Sequence, residues 1–263
     1  MKTMAGSDHI IISKGSLLSP LKSLGEAVLE LLYPQNLYCL CCGDSMENSR
    51  IHGICDVCAQ KIDWRLDNPL KYEMDEFAFD ELYMCCVYGF YPRQIMSRFK
   101  LAGNPYVAKP LGLLMAERLK LALSEADGPS PDALVPVPMH KDKLAKRGFN
   151  QAELLAKRVA KECGIPCIPD LLVKTEATQS MRLSSGQERR SMLEHSFGLS
   201  EKYRTGSAQG WLKGKDIILV DDVVTTGSTA DACARVLKSF GASRVRILCF
   251  AGSSGWHPQP EEQ

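Results

Sequence analysis

The stretch Asp216–Thr229, DIILVDDVVTTGST, decides how this chain is read. Ile217 to Val220 form an apolar, β-branched run suited to a central parallel strand buried on both faces. Asp221 and Asp222 follow at the strand's carboxyl end. Thr225, Thr226, Gly227, Ser228 and Thr229 then make a turn that opens a helix over Thr229–Phe240. The first N–H groups of that helix, and the positive end of its dipole, suit an anion. The hydroxyls add donors, and Gly227 lets a backbone approach closely. Carboxylates would repel a phosphate, so the two acids need another partner. A sugar diol beside the phosphate satisfies both halves, and a ribose 5-phosphate has that shape. Mg²⁺ between the acids and other oxygens is the second use of such a pair. The pattern G-x-x-x-x-G-K-[ST] is absent, which excludes a Walker loop.

Around this stretch, segments of strand and helix character alternate. DELYMCCVYGFY (80–91) is β-prone and aromatic, and reads as a strand or hairpin arm. A helix is expected from Val107 to Ser124, a buried strand in ALVPVP, and a helix over Gln151–Cys163. RVRILCFA is the last strand. Residues 170–200 read as an irregular hairpin or loop, KYRTGSAQG as a flexible excursion, and SSGWHPQPEEQ as a disordered tail. Near the start, Leu17, Leu21, Leu24, Val28 and Leu31 recur at helical spacing up to Pro34. This order predicts an α/β fold with a largely parallel sheet flanked by helices, whose ligands sit at the carboxyl ends of the strands.

A second anion-binding element precedes the Gln151 helix. In LVPVPMHKDKLAKRGFNQAELLA a strand end is followed by His140, Lys141, Lys143, Lys146 and Arg147. Arg147 can fork onto phosphate oxygens, while lysines act as point charges. The alternative is a solvated basic face.

The segment LYCLCCGDSMENSRIHGICDVCAQKI carries a third element. Cys39 and Cys42 form one C-x₂-C pair, Cys55 and Cys58 another, with twelve residues between. Two such knuckles bring four thiolates onto one tetrahedral ion. Zn²⁺ is the default, and iron shares the ligand set. With four cysteines the coordination sphere is closed, so the metal is structural. Cys41 breaks the spacing and is a bystander, and His52 is a minor alternative ligand. The remaining cysteines of the eleven are scattered and fit reduced, buried thiols.

The net charge of +1 gives no bulk signal for nucleic acid. No apolar run approaches the ~20 residues of a membrane span. With no secretory h-region, the expected location is cytoplasmic.

VDDVVTTGST resembles the 5-phosphoribosyl-1-pyrophosphate (PRPP) signature of type I phosphoribosyltransferases. The resemblance implies catalytic Asp221 and Asp222 on the ribose hydroxyls. It also implies Thr225, Thr226, Gly227, Ser228 and Thr229 on the 5-phosphate, with Mg²⁺ carried by PRPP. VPVPMH…RGFNQAELLA, joined to the four-cysteine ribbon, resembles the ComF family of competence-associated proteins, ComFC-like members in particular. FKLAGN matches that family's K-x-x-G element through Lys100 and Gly103. TQSMRLSSGQERRSMLEHSF resembles its mobile loop through Gln179, Arg189 and Phe197, with Met192 where the family carries Asn. Pyrophosphate is then expected on His140, Lys146, Arg147 and Lys100.

The implied layout is a tail and helix over 1–35, a zinc ribbon over 36–65, a phosphoribosyltransferase-like domain over 75–252 and a tail over 253–263. The implied setting is DNA uptake, with single-stranded DNA and a helicase-like ATPase as partners. Two functions of different class follow: phosphoribosyl transfer to an unnamed acceptor, or a non-catalytic module binding single-stranded DNA or a partner. Phe99 beside Lys100 and Phe149 beside Arg147 would permit base stacking in the second.

Overall fold

The computed structural model describes residues 37–46, 51–66, 72–73, 77–101, 105–124, 129–175 and 196–256. Its centre is a five-stranded sheet in the order β1-β2-β7-β6-β3. The strands are β1 (Tyr72–Glu73), β2 (Glu81–Val87), β3 (Ala133–Pro136), β6 (Asp216–Val224) and β7 (Arg244–Gly252). β2, β7, β6 and β3 pair in parallel, and β1 pairs antiparallel with β2. β4 (Leu172–Lys174) and β5 (Phe197–Leu199) form a separate antiparallel hairpin.

Alternation along the strands sorts the core into two layers. Ile218, Val220, Leu248 and Phe250 face one side. There they meet the buried faces of α2 (Phe90–Leu101), α3 (Ala108–Ser124) and α5 (Gln151–Cys163). Ile217, Leu219, Ile247 and Cys249 face the other side, under α7 (Ser228–Ser239) and the β4–β5 hairpin. The four-cysteine segment, with its short helix α1 (Asp56–Ala59), is part of the first layer: Cys39, Cys41, Ile54, Cys58 and Ile62 are buried in the same cluster as Phe99 and Leu111. Arg65 N–H donates to the Cys85 carbonyl at 2.7 Å and Val87 N–H to that of Asp63 at 2.8 Å, so this segment also hydrogen-bonds to β2.

The structure changes several local expectations. The strand expected over 80–91 ends at Val87, and a helix starts at Phe90. Pro92 lies in the first turn of α2, where its missing N–H costs nothing, so the aromatic run FYP is a helix start. Lys141–Arg147 is a helix of its own, α4, closed by Gly148 at φ +83°. The 202–210 excursion is ordered: α6 (Glu201–Arg204) buries Tyr203, whose ring meets Trp211 edge-on at 6.0 Å. Trp256, in the expected tail, packs on Phe77 with ring centroids 5.4 Å apart. The N-terminal helix expected over 17–31, together with Gly103, Gln179, Arg189 and Met192, lies outside the described residues. Among the described residues, no helix is long and apolar enough to cross a membrane.

Candidate functional site

The acids are not at the end of β6, as the sequence suggests, but inside it. β6 continues to Val224 against β7, whereas β3 ends with Pro136 opposite Val220. The sheet therefore has a notch beside Asp221 and Asp222. Val137 N–H still donates to the Val220 carbonyl at 2.9 Å, and the chain then turns away into Pro138–His140. This notch is the floor of a cleft of about 240 Å³. Lys100, His140, Lys143, Arg147, Asn150, Lys174, Asp221, Asp222 and Thr229 all line it.

The two carboxylates have different surroundings because strand parity turns them to opposite sides. Asp222 shares its side with Val220 and takes Lys100 Nζ at 2.8 and 3.0 Å on its two oxygens. Asp221 accepts the Asp222 N–H at 2.8 Å. Burial and the neighbouring Asp222 charge push the Asp221 carboxyl up to about 7, against the pull of that N–H, Lys100 and Lys174. Cys233 and Cys249, buried beside it, have thiols raised well above their ordinary value by burial and by the Asp221 charge.

The turn after β6 is built as a left-handed N-cap. Gly227 has φ +73°, and no side chain caps α7. The hydroxyls of Thr226 and Ser228 bond each other at 3.0 Å. Thr225 and Thr226 are exposed, Gly227 is buried, Ser228 and Thr229 are half-buried, and Thr229 reaches the cleft. A Cβ on Gly227 would meet Trp256 Cη2 at 2.9 Å and Phe77 Cε1 at 3.0 Å, so two rings back the turn.

On the opposite wall, His140 caps α4 and its Nδ1 accepts the Asp142 N–H at 3.3 Å. Arg147 Nη1 donates to Gln151 Oε1 at 2.8 Å. Asn150 caps α5 by accepting the Ala152 N–H at 3.1 Å, and donates to the Val137 carbonyl at 3.0 Å, which ties the loop together. Of the basic residues expected at an anion, His140, Arg147 and Lys100 line the cleft, and Lys146 lies on the exposed side of α4. The sequence reading missed Lys174. It sits on β4, 4.9 Å from the Phe197 ring centroid, and burial together with Lys143 lowers its pKa. The alternation in LLVKT was the available signal, but nothing local says that this hairpin overhangs the acids. Phe99 is fully buried and stacks on the half-buried Phe149 at 5.9 Å, so Phe99 is core and offers no face to a base.

The four sulfurs of Cys39, Cys42, Cys55 and Cys58 lie within 4.8 Å of one another. Cys42 and Cys55 Sγ are 3.8 Å apart. Zn–S bonds of ~2.3 Å in a tetrahedron put sulfurs about 3.8 Å apart, so the group fits such an ion. Cys39 Sγ accepts the N–H groups of Cys41 and Cys55, each at 3.3 Å. Burial raises the Cys39 thiol, but these bonds and one from Cys42 bring it down to about 6, which favours the ligating thiolate. Cys41 donates instead to the Tyr91 carbonyl at 3.5 Å, and His52 pairs with Glu117 at 2.8 Å. Neither belongs to the cluster.

Residues 114–260 match the Phosphoribosyl transferase domain. The chain belongs to that family. Comparison with curated proteins adds Competence protein F of Haemophilus influenzae, 26% identical over 58% of this chain and 64% of that protein. The DNA utilization protein YhgH of Salmonella typhi is 28% identical over 59% of this chain and 64% of its own length. The matched region thus spans less than two thirds of these relatives. Among solved structures, adenine phosphoribosyl transferase from Trypanosoma brucei aligns over 79% of this chain and 70% of that one, at 15% identity and a TM-score of 0.36. The phosphoribosyl transferase domain thus contains β3, β6 and β7, the acids and the α7 turn. Lys100 and the four cysteines lie outside its matched span.

Proposed function

We propose that the cleft binds PRPP with Mg²⁺ and transfers its phosphoribosyl group to an acceptor. The observation that carries this is the convergence, on one cleft, of the Asp221–Asp222 pair, the α7 turn through Thr229, and a wall of Lys100, His140, Lys143 and Arg147. Asp222 and Asp221 would accept from the ribose hydroxyls. The uncapped N–H groups of α7, with Thr225, Thr226, Gly227, Ser228 and Thr229, would hold the 5-phosphate. Arg147, His140 and Lys100 would hold the pyrophosphate, with Lys146 at longer range from the exposed face of α4. Mg²⁺, when bound, neutralises pyrophosphate oxygens and makes that group a better leaving group. The anomeric carbon gains positive charge as the C–O bond to pyrophosphate breaks, and the Asp221–Asp222 charge stabilises that state.

Lys100 pairs with Asp222. Each carboxylate oxygen still has a lone pair for a ribose hydroxyl, so Lys100 would hold Asp222 in place for the sugar while facing the pyrophosphate.

The four-cysteine site would hold a structural Zn²⁺. Its closed ligand set leaves no position for catalysis. The names of the two relatives support a setting in DNA uptake, in which the protein would act in the cytoplasm on incoming single-stranded DNA beside a helicase-like ATPase.

Calorimetry with PRPP and Mg²⁺ on the wild type and on Asp222→Asn tests the ligand. The wild type should bind at millimolar PRPP or below, and the variant at least tenfold more weakly. Absence of wild-type binding sinks the reading. Binding without pyrophosphate release, across a panel of acceptors including single-stranded DNA, would move the protein to the class of binding modules.

A further inference from the structure

Helix α2 touches both the cleft and the four-cysteine site. On one flank Arg98 Nη1 donates to the Cys39 carbonyl at 2.8 Å. Its Nη2 lies against Gly43, where a Cβ would sit only 2.9 Å away, and Gly43 itself turns at φ +86°. Cys39 and Cys42, on this knuckle, are two of the four sulfur donors. At the start of the same helix the Tyr91 carbonyl receives the Cys41 thiol at 3.5 Å. Two residues after Arg98, Lys100 holds Asp222 at 2.8 Å. Two helical residues turn by about 200°, so Arg98 and Lys100 project from opposite flanks of one rigid rod. Ile95, Met96 and Phe99 fix that rod in the core.

We propose that Arg98 is a positioning residue. It registers α2 on the metal-bearing knuckle, so that the place of Lys100, and with it the affinity of the cleft for a phosphorylated sugar, depends on metal in the four-cysteine site. A loosened knuckle releases Arg98, α2 shifts, and the cleft loses a cation. Linkage is reciprocal, so a ligand in the cleft holds the metal more tightly. This inference rests on the cleft reading above.

The test uses the full chain loaded with Zn²⁺. Metal release to a colorimetric zinc chelator is timed with and without saturating ribose 5-phosphate, itself a weak metal ligand, and calorimetry measures ribose 5-phosphate binding separately. Ribose 5-phosphate should slow release from the wild type about 5-fold or more, the lower end of ordinary coupling. Arg98→Met should bind the sugar phosphate with its release rate unmoved. Arg98→Lys, which restores one donor, should recover part of the slowing, an effect that a merely structural arginine would not give. Should Arg98→Met fail to fold, Lys100→Met cuts the other end of the rod with the knuckle intact, and it too should lose the slowing. Bound ribose 5-phosphate with no slowing in the wild type overturns the coupling alone. Slowing that survives in both Arg98→Met and Lys100→Met overturns it as well. No ribose 5-phosphate binding at all overturns the cleft reading and this inference with it.

Discussion

Gly227 is the residue on which the turn after β6 depends. Its φ of +73° lies where a side chain costs ~1–2 kcal/mol, and Trp256 and Phe77 already fill the space a Cβ would need. Gly227→Ala should therefore lower stability by at least that amount, seen in chemical denaturation. It should also weaken phosphate binding, because the α7 N–H groups lose their aim. Asp221 gives a prediction in pH. Its folded pKa of about 7 exceeds the ordinary carboxylate value of ~3.9, so the folded state binds the extra proton between those values. Stability should fall as pH rises through that window and level off above it. Melting temperatures from pH 4 to 8 should show this slope in the wild type and a flatter one in Asp221→Asn. The Asn variant should also be the more stable of the two above pH 7, and the weaker binder of PRPP in calorimetry. A fall in stability toward low pH in that window would contradict this account of Asp221.

At the scale of elements, the cleft depends on how α3 and α5 pack and on where β3 ends. The two helices approach closely at Gly112, where a Cβ would lie 2.5 Å from Arg158 Cγ and 2.6 Å from Arg158 Cβ. Alanine ordinarily gains ~1 kcal/mol over glycine inside a helix. Here the clash reaches the root of the Arg158 side chain, so Gly112→Ala should destabilise the protein by ~1–3 kcal/mol, measurable by urea denaturation. Asn150 makes a different link, since one amide caps α5 and holds the Val137 carbonyl. Asn150→Ala should cost ~1 kcal/mol for the cap alone. It should also loosen the wall that carries His140 and Arg147, raising the Kd for pyrophosphate more than that for ribose 5-phosphate. These elements were legible to different degrees. The Gln151–Cys163 helix and the β6 run follow from periodicity and β-branching. The helix at Phe90 did not, because its aromatic start carries the same residue types as the strand before it.

Among the described residues the five-stranded sheet lies between two apolar layers, and the four-cysteine segment belongs to one of them. Ile54, Cys58 and Ile62 share a cluster with Phe99, Leu111 and Leu248 across α2, α3 and β7. Withdrawing the metal should therefore lower the temperature of the main unfolding transition, and it should not give a separate early step confined to the ribbon. Differential scanning calorimetry of the full chain, with and without chelator, distinguishes these outcomes. At the opposite end of the sheet, Arg246 pairs with Asp216 through two bonds at 2.7 and 3.1 Å, and Arg244 reaches Glu81. Arg246 is almost fully buried, so removing Asp216 would strand its charge. Loss of one partner of such a pair costs ~3–5 kcal/mol.

The sequence alone picked out residues that the structure gathers into the two candidate sites. Spacing fixed Cys39, Cys42, Cys55 and Cys58 as one ligand group, because two knuckles admit few ways to converge. A β-branched run, two acids and a glycine–hydroxyl turn announced a strand, a turn and a helix over Thr229–Phe240, found at Ser228–Ser239, because each is a local preference of the backbone; that the strand runs on past the acids to Val224 was not legible. Tertiary structure decided what those local pieces face. The cleft exists because β3 stops four residues short of β6, and a strand's length relative to its neighbour is a property of the pair. Asp221 and Asp222 differ because one lies among buried thiols and the other meets Lys100, whose position is 122 residues away in the chain. Lys174, Trp256 and the link from Arg98 to Cys39 were invisible for the same reason: each acts on a residue far from it in sequence, and only packing brings the two together.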